Sequence, residues 1–295
     1  MAAIESKHIT LPTEVAEEIV TKARDTSVIQ TLSPSAPQIF KNVEHMVFTK
    51  EPEAEFVAEG GQKSSMDVKF TPVPGEIHKA QTTVRMDAEV QWADEDNRLQ
   101  IVDSIVEAGS AALGHALDYG VFHAVNPATG AAIESMTALT AGANAVTATS
   151  DPSVDVDSLV DAVNEEYDVS GIALSKKFAN DLRKVRVKNT MARLYPEIPI
   201  NLKTGSLEGI NAATSSTVSG KLATTATNVL AILGDFSLIK WGVVRDLGLD
   251  VITMGDPDGL GDLKRLNQVA YRLEVVYSWA VLDPKGFAVL KSAAA

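Results

Sequence analysis

Few stretches of this chain place chemically capable residue types at a spacing that would let them act together. Gly60-Gly61-Gln62-Lys63-Ser64-Ser65 has the glycines, lysine and serines of a phosphate-cradling loop. Its first glycine is wrongly spaced and no strand–loop–helix pattern surrounds it, so nucleotide binding is not supported. The segment GDPDGLGD carries three carboxylates of the kind that hold calcium, Asp256, Asp258 and Asp262. It lacks the regular ligand alternation and the twelfth-position glutamate of a calcium loop, and reads as a plain loop. The five histidines, His8, His45, His78, His115 and His123, form no HExxH or similar pair. With no cysteine in the chain, thiolate nucleophiles, thiolate metal sites and disulfides are excluded. No G-x-S-x-G elbow occurs either. One cationic run, Lys176, Lys177, Arg183, Lys184, Arg186, Lys188 and Arg193, reads as a solvated helix face or a contact with an acidic neighbour. No catalytic residue, cofactor site or metal site emerges.

Composition narrows the classes further. A net charge of −13 over 295 residues argues against a general nucleic-acid surface, which needs Lys and Arg to neutralise phosphates. The first ten residues, MAAIESKHIT, lack the basic and apolar regions of a secretory signal, and no apolar run approaches a membrane span. The pattern is that of a soluble, acidic, intracellular protein.

The elements that would position any site begin with the longest. From Asp94 to Phe122 the sequence reads as one helix, well beyond the mean of about 11–12 residues. Leu99, Val102, Ile105, Val106, Leu113, Leu117 and Val121 form its apolar stripe, with Asp94 placed to cap it. Gly109 and Gly114 lie inside it, where each costs up to about 1 kcal/mol against Ala and suits close packing on a sheet. Before it, Val84, Met86, Ala88, Val90 and Trp92 alternate with polar residues, predicting a strand over Ala80 to Trp92.

Residues 1–40 read as an arm: a short helix after Pro12, then a polar, proline-punctuated stretch anchored only by Val28, Ile29 and Leu32. The arm should lie on its own body or on a neighbouring subunit. Residues 41–80 read as two extended limbs of a projecting hairpin with a Gly60-Gly61 tip, interrupted at TPVPGE on the return. Residues 81–125 hold the strand and long helix. Residues 126–245 form a mixed α/β region, with an amphipathic helix over Val154 to Asp168 whose apolar face is Val156, Leu159, Val160 and Val163, a buried strand at Gly171 to Ser175, a second helix after it, and another strand over Asn228 to Asp235. Residues 246–295 return to strands, with Asp283-Pro284-Lys285-Gly286 as a hairpin turn into Phe287 to Leu290.

In this order the elements resemble the major capsid proteins of tailed bacteriophages, a fold shared with encapsulins and herpesvirus capsid floors. FVAEGGQKSSMDVKF looks like the tip of that family's extended loop, and VQWADEDNRLQIVDSIVEAGSAALGHALDYGVF like its strand and spine helix. GIALSKKFANDLRKV resembles the axial domain's strand–helix unit, and LGDFSLIKWGVVRDLGLDVI with RLNQVAYRLEVVYSWAVLDPKGFAVL the closing segments. The resemblance covers essentially the whole chain and implies an α+β fold: N-terminal arm, extended β-hairpin loop, peripheral domain with spine helix and antiparallel sheet, and α/β axial domain.

It also implies a structural subunit that assembles with itself as hexamers and pentamers into an icosahedral shell around phage double-stranded DNA, in the virion capsid, after assembly in the host bacterial cytoplasm. Portal and scaffolding proteins are implied partners, a cement protein is a further candidate, and neither a membrane nor sequence-specific DNA binding is expected. Acidity suits a container that should not grip its cargo. No charged helical scaffolding segment precedes the arm, so a separate scaffold, or none, is expected. An encapsulin-type compartment is the alternative, a soluble enzyme a distant one. Some members join subunits by an isopeptide bond, and the resemblance maps its lysine, asparagine and glutamate to Lys63, Asn267 and Glu274. That chemistry needs a neutral amine attacking a carboxamide while a carboxylate takes its proton. In a strand, seven residues put Asn267 and Glu274 on opposite faces, so they would serve different contacts. The competing reading has Lys63 paired with a neighbour's carboxylate and Asn267 capping a strand end.

Overall fold

The computed structural model describes residues 27–34, 44–50, 54–57, 59–63, 65, 69–97, 101–199 and 202–293; the helix expected after Pro12 lies outside them. The first described element is a single turn, α1 (Val28–Leu32), whose N-cap Ser27 accepts from the Gln30 amide. Val28 and Ile29 are buried and Leu32 packs on the same core, so this part of the arm rests on its own chain.

Strands β1 (Glu44–Lys50) and β2 (Lys69–Pro74) form an antiparallel ladder, with Glu44 opposite Pro74 and Phe48 opposite Phe70. The expected interruption at TPVPGE is displaced: Thr71 to Pro74 belong to β2, and the break before β3 (Glu76–Asp87) falls at Gly75. A two-stranded ladder leaves one side of each strand unpaired, and there proline's missing N–H is tolerated.

The alternation through Trp92 predicts more strand than exists. β3 ends at Asp87, and α2 (Ala88–Asn97) follows directly. The cause is the partner strand, β10 (Gln268–Val281), whose first residue, Gln268, pairs with Asp87. Beyond it the Ala88 amide donates to the Asn267 carbonyl, and a segment rich in helix formers turns into a helix. Asp94 is therefore inside α2, not at the start of the spine helix. The spine is described over 23 residues as α3 (Ile101–His123), and residues 98–100 between it and α2 lie outside the described residues. Its stripe follows the predicted period: Val106, Leu113, Leu117 and Val121 are buried.

Helix α3 lies on a three-stranded antiparallel sheet in the order β3-β10-β9, where β9 is Ile239–Ile252. Alternate β10 side chains, Leu273, Val275, Tyr277 and Trp279, share its core. A second sheet has six strands, β4 (Asn144–Thr147), β5 (Gly171–Leu174), β6 (Thr204–Leu207), β7 (Ile210–Thr214), β8 (Val229–Gly234) and β11 (Phe287–Lys291), in the order β4-β11-β8-β5-β7-β6. After the single turn α4 (Leu139–Gly142), helices α5 (Pro152–Asp161) and α6 (Lys176–Lys184) cover one face, packing Val156, Leu159, Phe178 and Leu182 on Ile172, Leu174 and Leu290. The other face, including Ala173, Ile232, Phe287 and Val289, shares a core with α3, Trp241 and Trp279. One hydrophobic cluster thus joins the two sheets through the spine.

The Asp283 to Gly286 turn forms as expected but makes no hairpin. Phe287 to Leu290 pairs antiparallel with β8 and parallel with β4, in the other sheet from β10. All four residues of that run are fully buried, as a central strand requires. Residues 246–295 therefore divide between the two sheets, and Ile239 to Arg245, grouped by the sequence pattern with the α/β region, lie in β9.

Candidate functional site

Helix α3 carries a carboxylate on its apolar side. Asp118 is fully buried, one position after Leu117, and four donors converge on it. Its Oδ1 accepts from Ser27 Oγ at 2.5 Å and from the Ile29 amide at 3.2 Å. Its Oδ2 accepts from the Val28 amide at 3.0 Å and from Thr217 Oγ1 at 2.7 Å. The carboxylate takes up amides at the start of α1 that have no partner within the turn. Burial pushes its carboxyl above the ordinary value of 3.8, while the hydrogen bonds from Ser27, Thr217, Val28 and Ile29 pull it back.

Around it the last turns of α3 are fastened to the loop after β7. His123 Nε2 lies 3.0 Å from the Thr217 carbonyl, and Tyr119 Oη accepts from the Leu222 amide at 3.1 Å. Thr217 is held by its hydroxyl on one side and its carbonyl on the other. The arm has a second tie beyond α1: Trp241 Nε1 donates to the Ser33 carbonyl at 3.1 Å, and Ser33 Oγ donates to the Ile239 carbonyl at 2.8 Å. Asp118 was not singled out by sequence reasoning. The available signal was an acid set inside the Leu113–Leu117–Val121 stripe.

The residues singled out for chemistry lie apart. Lys63 is exposed at the hairpin tip, near the turn at Glu59 and Gly60. Asn267 is the C-cap of α7 (Leu263–Leu266), in the left-handed region at φ 54°, directly before the first residue of β10. Its amide Nδ2 donates to Glu89 Oε1 at 2.6 Å. Glu274 sits in mid-β10 and pairs with Lys79 Nζ at 2.8 Å on β3. Asn267 and Glu274 thus have other partners within the subunit, and Lys63 lies exposed in the hairpin tip.

In the acidic loop a guanidinium stands where a cation would go. Arg85 Nε donates to Asp258 Oδ2 at 3.1 Å, and its Nη2 reaches the Gly261 carbonyl at 3.0 Å and Asp256 at 3.5 Å. Asp262 instead caps α7, accepting from the Arg265 amide at 2.8 Å. Among the described residues no group of three potential ligands could hold a metal, and no helix is long and apolar enough to cross a membrane. The cationic run lies on α6 and the loop after it, where Lys184 pairs with Asp181 at 2.8 Å. Gly109 and Gly114 are both buried on α3.

What distinguishes the molecule is surface left uncovered. On the hairpin Met46 is 61% exposed and Phe56 fully exposed, with Val57 beside it. A monomer gains nothing from such a projection.

The model of the phage capsid family matches residues 8–292. The chain belongs to the phage capsid family. A solved structure from Mycobacterium phage Ogopogo is 35% identical, with a TM-score of 0.82 over 91% of this chain and 92% of its own. One from Gordonia phage Cozz is 32% identical, with a TM-score of 0.77 over 92% of this chain and 87% of that one. The capsid of an empty GTA particle, 15% identical at a TM-score of 0.61, shares the fold. No curated protein matches. This capsid protein is thus a structural major capsid subunit of the virion, not an enzyme, and self-assembly is its activity.

Proposed function

We propose that this capsid protein closes an icosahedral shell of hexamers and pentamers around phage double-stranded DNA, held by non-covalent contacts in which each subunit's hairpin lies on the next. The observation that carries this is the hairpin itself, whose Met46, Phe56 and Val57 face solvent in the single chain. Burial at about 25 cal/mol per Å² makes a neighbouring subunit the natural cover. The axial part is the six-stranded sheet with α5 and α6, and the peripheral part the three-stranded sheet with α3. Assembly takes place in the host bacterial cytoplasm, with portal and scaffolding proteins, and a cement protein as an outer addition. The charge of −13 favours release of DNA over retention.

Two features favour non-covalent joining. The Asn267 amide is engaged by Glu89. Glu274, paired with Lys79, is seven positions further on, about 20 Å away along a strand. A crosslink through Lys63 would therefore need Asn267 and Glu274 from different subunits. The test is expression of the chain followed by electron microscopy and denaturing electrophoresis. Closed shells that dissociate to a single band near 31.4 kDa are expected. A covalent ladder would establish the crosslink instead, and small uniform cages with protein cargo would favour the compartment reading.

A further inference from the structure

A cavity of about 500 Å³ lies where the arm, the spine and the six-stranded sheet meet. Val28 and Thr31 of α1, His115 of α3 and Ala179 of α6 stand on its walls. The chain carries 39 aspartates and glutamates, yet none of the described residues lining this cavity is one of them. Lys176 comes to it from the start of α6, and Lys203 from just before β6. The side chains of both lysines and of His115 have no ion pair or hydrogen bond among the described residues. A concave wall that carries one sign of charge concentrates ions of the other.

Sheet topology and unpartnered polar groups point to the same place. β5 and β7 are parallel neighbours, and both end at the cavity: Leu174 leads through Ser175 into Lys176, and β7 stops at Thr214. In α/β sheets, ligands are held in the crevice beyond the carboxyl ends of such strands. Thr214 lines the cavity, and its Oγ1 is buried without a hydrogen-bond partner. Buried polar atoms are nearly always paired, so this one calls for a polar partner. The hydroxyls of Thr204 and Ser216, on the same walls, make no hydrogen bond among the described residues either.

We propose that this cavity binds a phosphate oxyanion, held by Lys176, Lys203 and His115 together with the hydroxyls of Thr204 and Ser216. The lysines supply charge, the hydroxyls directed hydrogen bonds, and His115 donates a ring N–H in either protonation state. Free inorganic phosphate and the phosphodiester backbone of a nucleic acid present the same oxygens, and the cavity is larger than the bare anion. Ser27 and Val28 also line it, so the site is complete only with α1 in place, and the bound anion fastens the arm. It belongs to the single subunit and stands whether or not the shell reading holds. A local contact of this kind leaves the overall repulsion of DNA by a charge of −13 intact.

The purified chain is titrated with inorganic phosphate against sodium chloride of equal ionic strength. Phosphate should raise the melting temperature, because it binds only the folded chain, and should slow hydrogen exchange at Val28 and Ile29. Lys176→Gln with Lys203→Gln should bind phosphate about tenfold more weakly. Lys177→Gln with Lys188→Gln, which removes the same charge outside the cavity, should bind it as the parent does. All four lysines are exposed, so both pairs should fold. A short DNA duplex separates the sources. Slowed exchange at Val28 and Ile29 that depends on Lys176 and Lys203 assigns the site to a phosphodiester, and protection by inorganic phosphate alone assigns it to the free anion. No rise over chloride, or equal losses in the two double variants, overturns the site. Should the cavity pair fail to fold, the parent's exchange map decides: protection by phosphate must centre on residues 27–31, 176–180 and 203–216, and protection elsewhere overturns the site.

Discussion

Ser27 and Asp118, 91 residues apart in the chain, meet in a buried hydrogen bond of 2.5 Å. The contact joins the arm to the spine at the point where the spine is also fastened to Thr217. Three segments distant in sequence thus share one carboxylate. Because the same core cluster continues into both sheets, the described part of the arm is anchored in the middle of the molecule.

Asp118→Asn is expected to destabilise the subunit by about 1–3 kcal/mol, the usual cost of stranding a buried donor. Each carboxylate oxygen accepts from one hydroxyl and one backbone amide. The hydroxyls can turn to accept from an amide side chain, but the Val28 or Ile29 N–H that faces the new NH₂ cannot. Denaturant unfolding measures the loss, and hydrogen exchange at Val28 and Ile29 should accelerate with it. Unchanged exchange there would show that the carboxylate does not hold the arm.

His123 supplies a pH dependence with a definite sign. Burial holds it below its ordinary value of 6.5, against weaker pulls from the Thr217 and Val218 backbone. With Nε2 donating to Thr217, Nδ1 is buried without a partner, so a second proton would bring an unpaired charge into the interior. The unfolded chain takes up the proton first as the pH falls. The histidine's contribution is therefore full above about pH 6.5 and is lost as pH drops through the depressed folded value. Melting curves from pH 7.5 to 5.5 should show the decline, and His123→Gln should flatten it whatever its absolute melting temperature. Parallel slopes would dismiss the assignment.

The stripe of α3 and the apolar runs of β5 and β8 were readable because burial on one face, or on both, imposes a period on the sequence itself. The end of β3 was not. Val90 and Trp92 continue its alternation past Asp87, but a strand lasts only as long as its partner, and the partner stops at Gln268. The turn at Pro284 illustrates the same limit: Asp283 accepts from the Lys285 amide at 2.8 Å as turn chemistry predicts, yet a turn does not dictate which strands pair. Asp118 was hidden for a related reason. A helical carboxylate reads as solvent-facing, and its partners Ser27 and Thr217 are 91 and 99 positions away.

Gly109 should tolerate one added carbon and refuse three. In Gly109→Ala the new Cβ meets Leu273 Cδ1 at 2.5 Å, the free end of a flexible side chain, and the helix gains up to about 1 kcal/mol in propensity. The two effects oppose, and denaturant unfolding should find a net change within about 1 kcal/mol. Gly109→Val has no such compensation and should cost about 1–3 kcal/mol by overpacking α3 against β10.

Gly114→Leu is a test of shape more than of folding. The position is buried within the spine, whose packing sets the distance between the two sheets. Particle yield or morphology in electron micrographs should suffer more than the subunit's melting temperature. Normal capsids from this variant would refute a geometric role for the glycine.

Arg85→Lys should loosen the loop between Gly255 and Asp262 without unfolding the sheet beneath it. The guanidinium reaches Asp258, the Gly261 carbonyl and Gln268 from one planar group, and its side chain is only 11% exposed. An ammonium cannot span those three directions. The loop has positive φ at Gly255, Gly259 and Gly261, so it depends on this external hold to stay in one conformation. Arg272, donating to the Pro257 carbonyl at 2.7 Å, remains as a second tether. Hydrogen exchange across residues 255–266 should rise at least tenfold while the melting temperature moves little. Because the Arg85 guanidinium already lies between Asp256 and Asp258, millimolar calcium should leave the parent's exchange and melting unchanged. A calcium-dependent rise in melting temperature would mean that the carboxylates, and not the arginine, organise the loop.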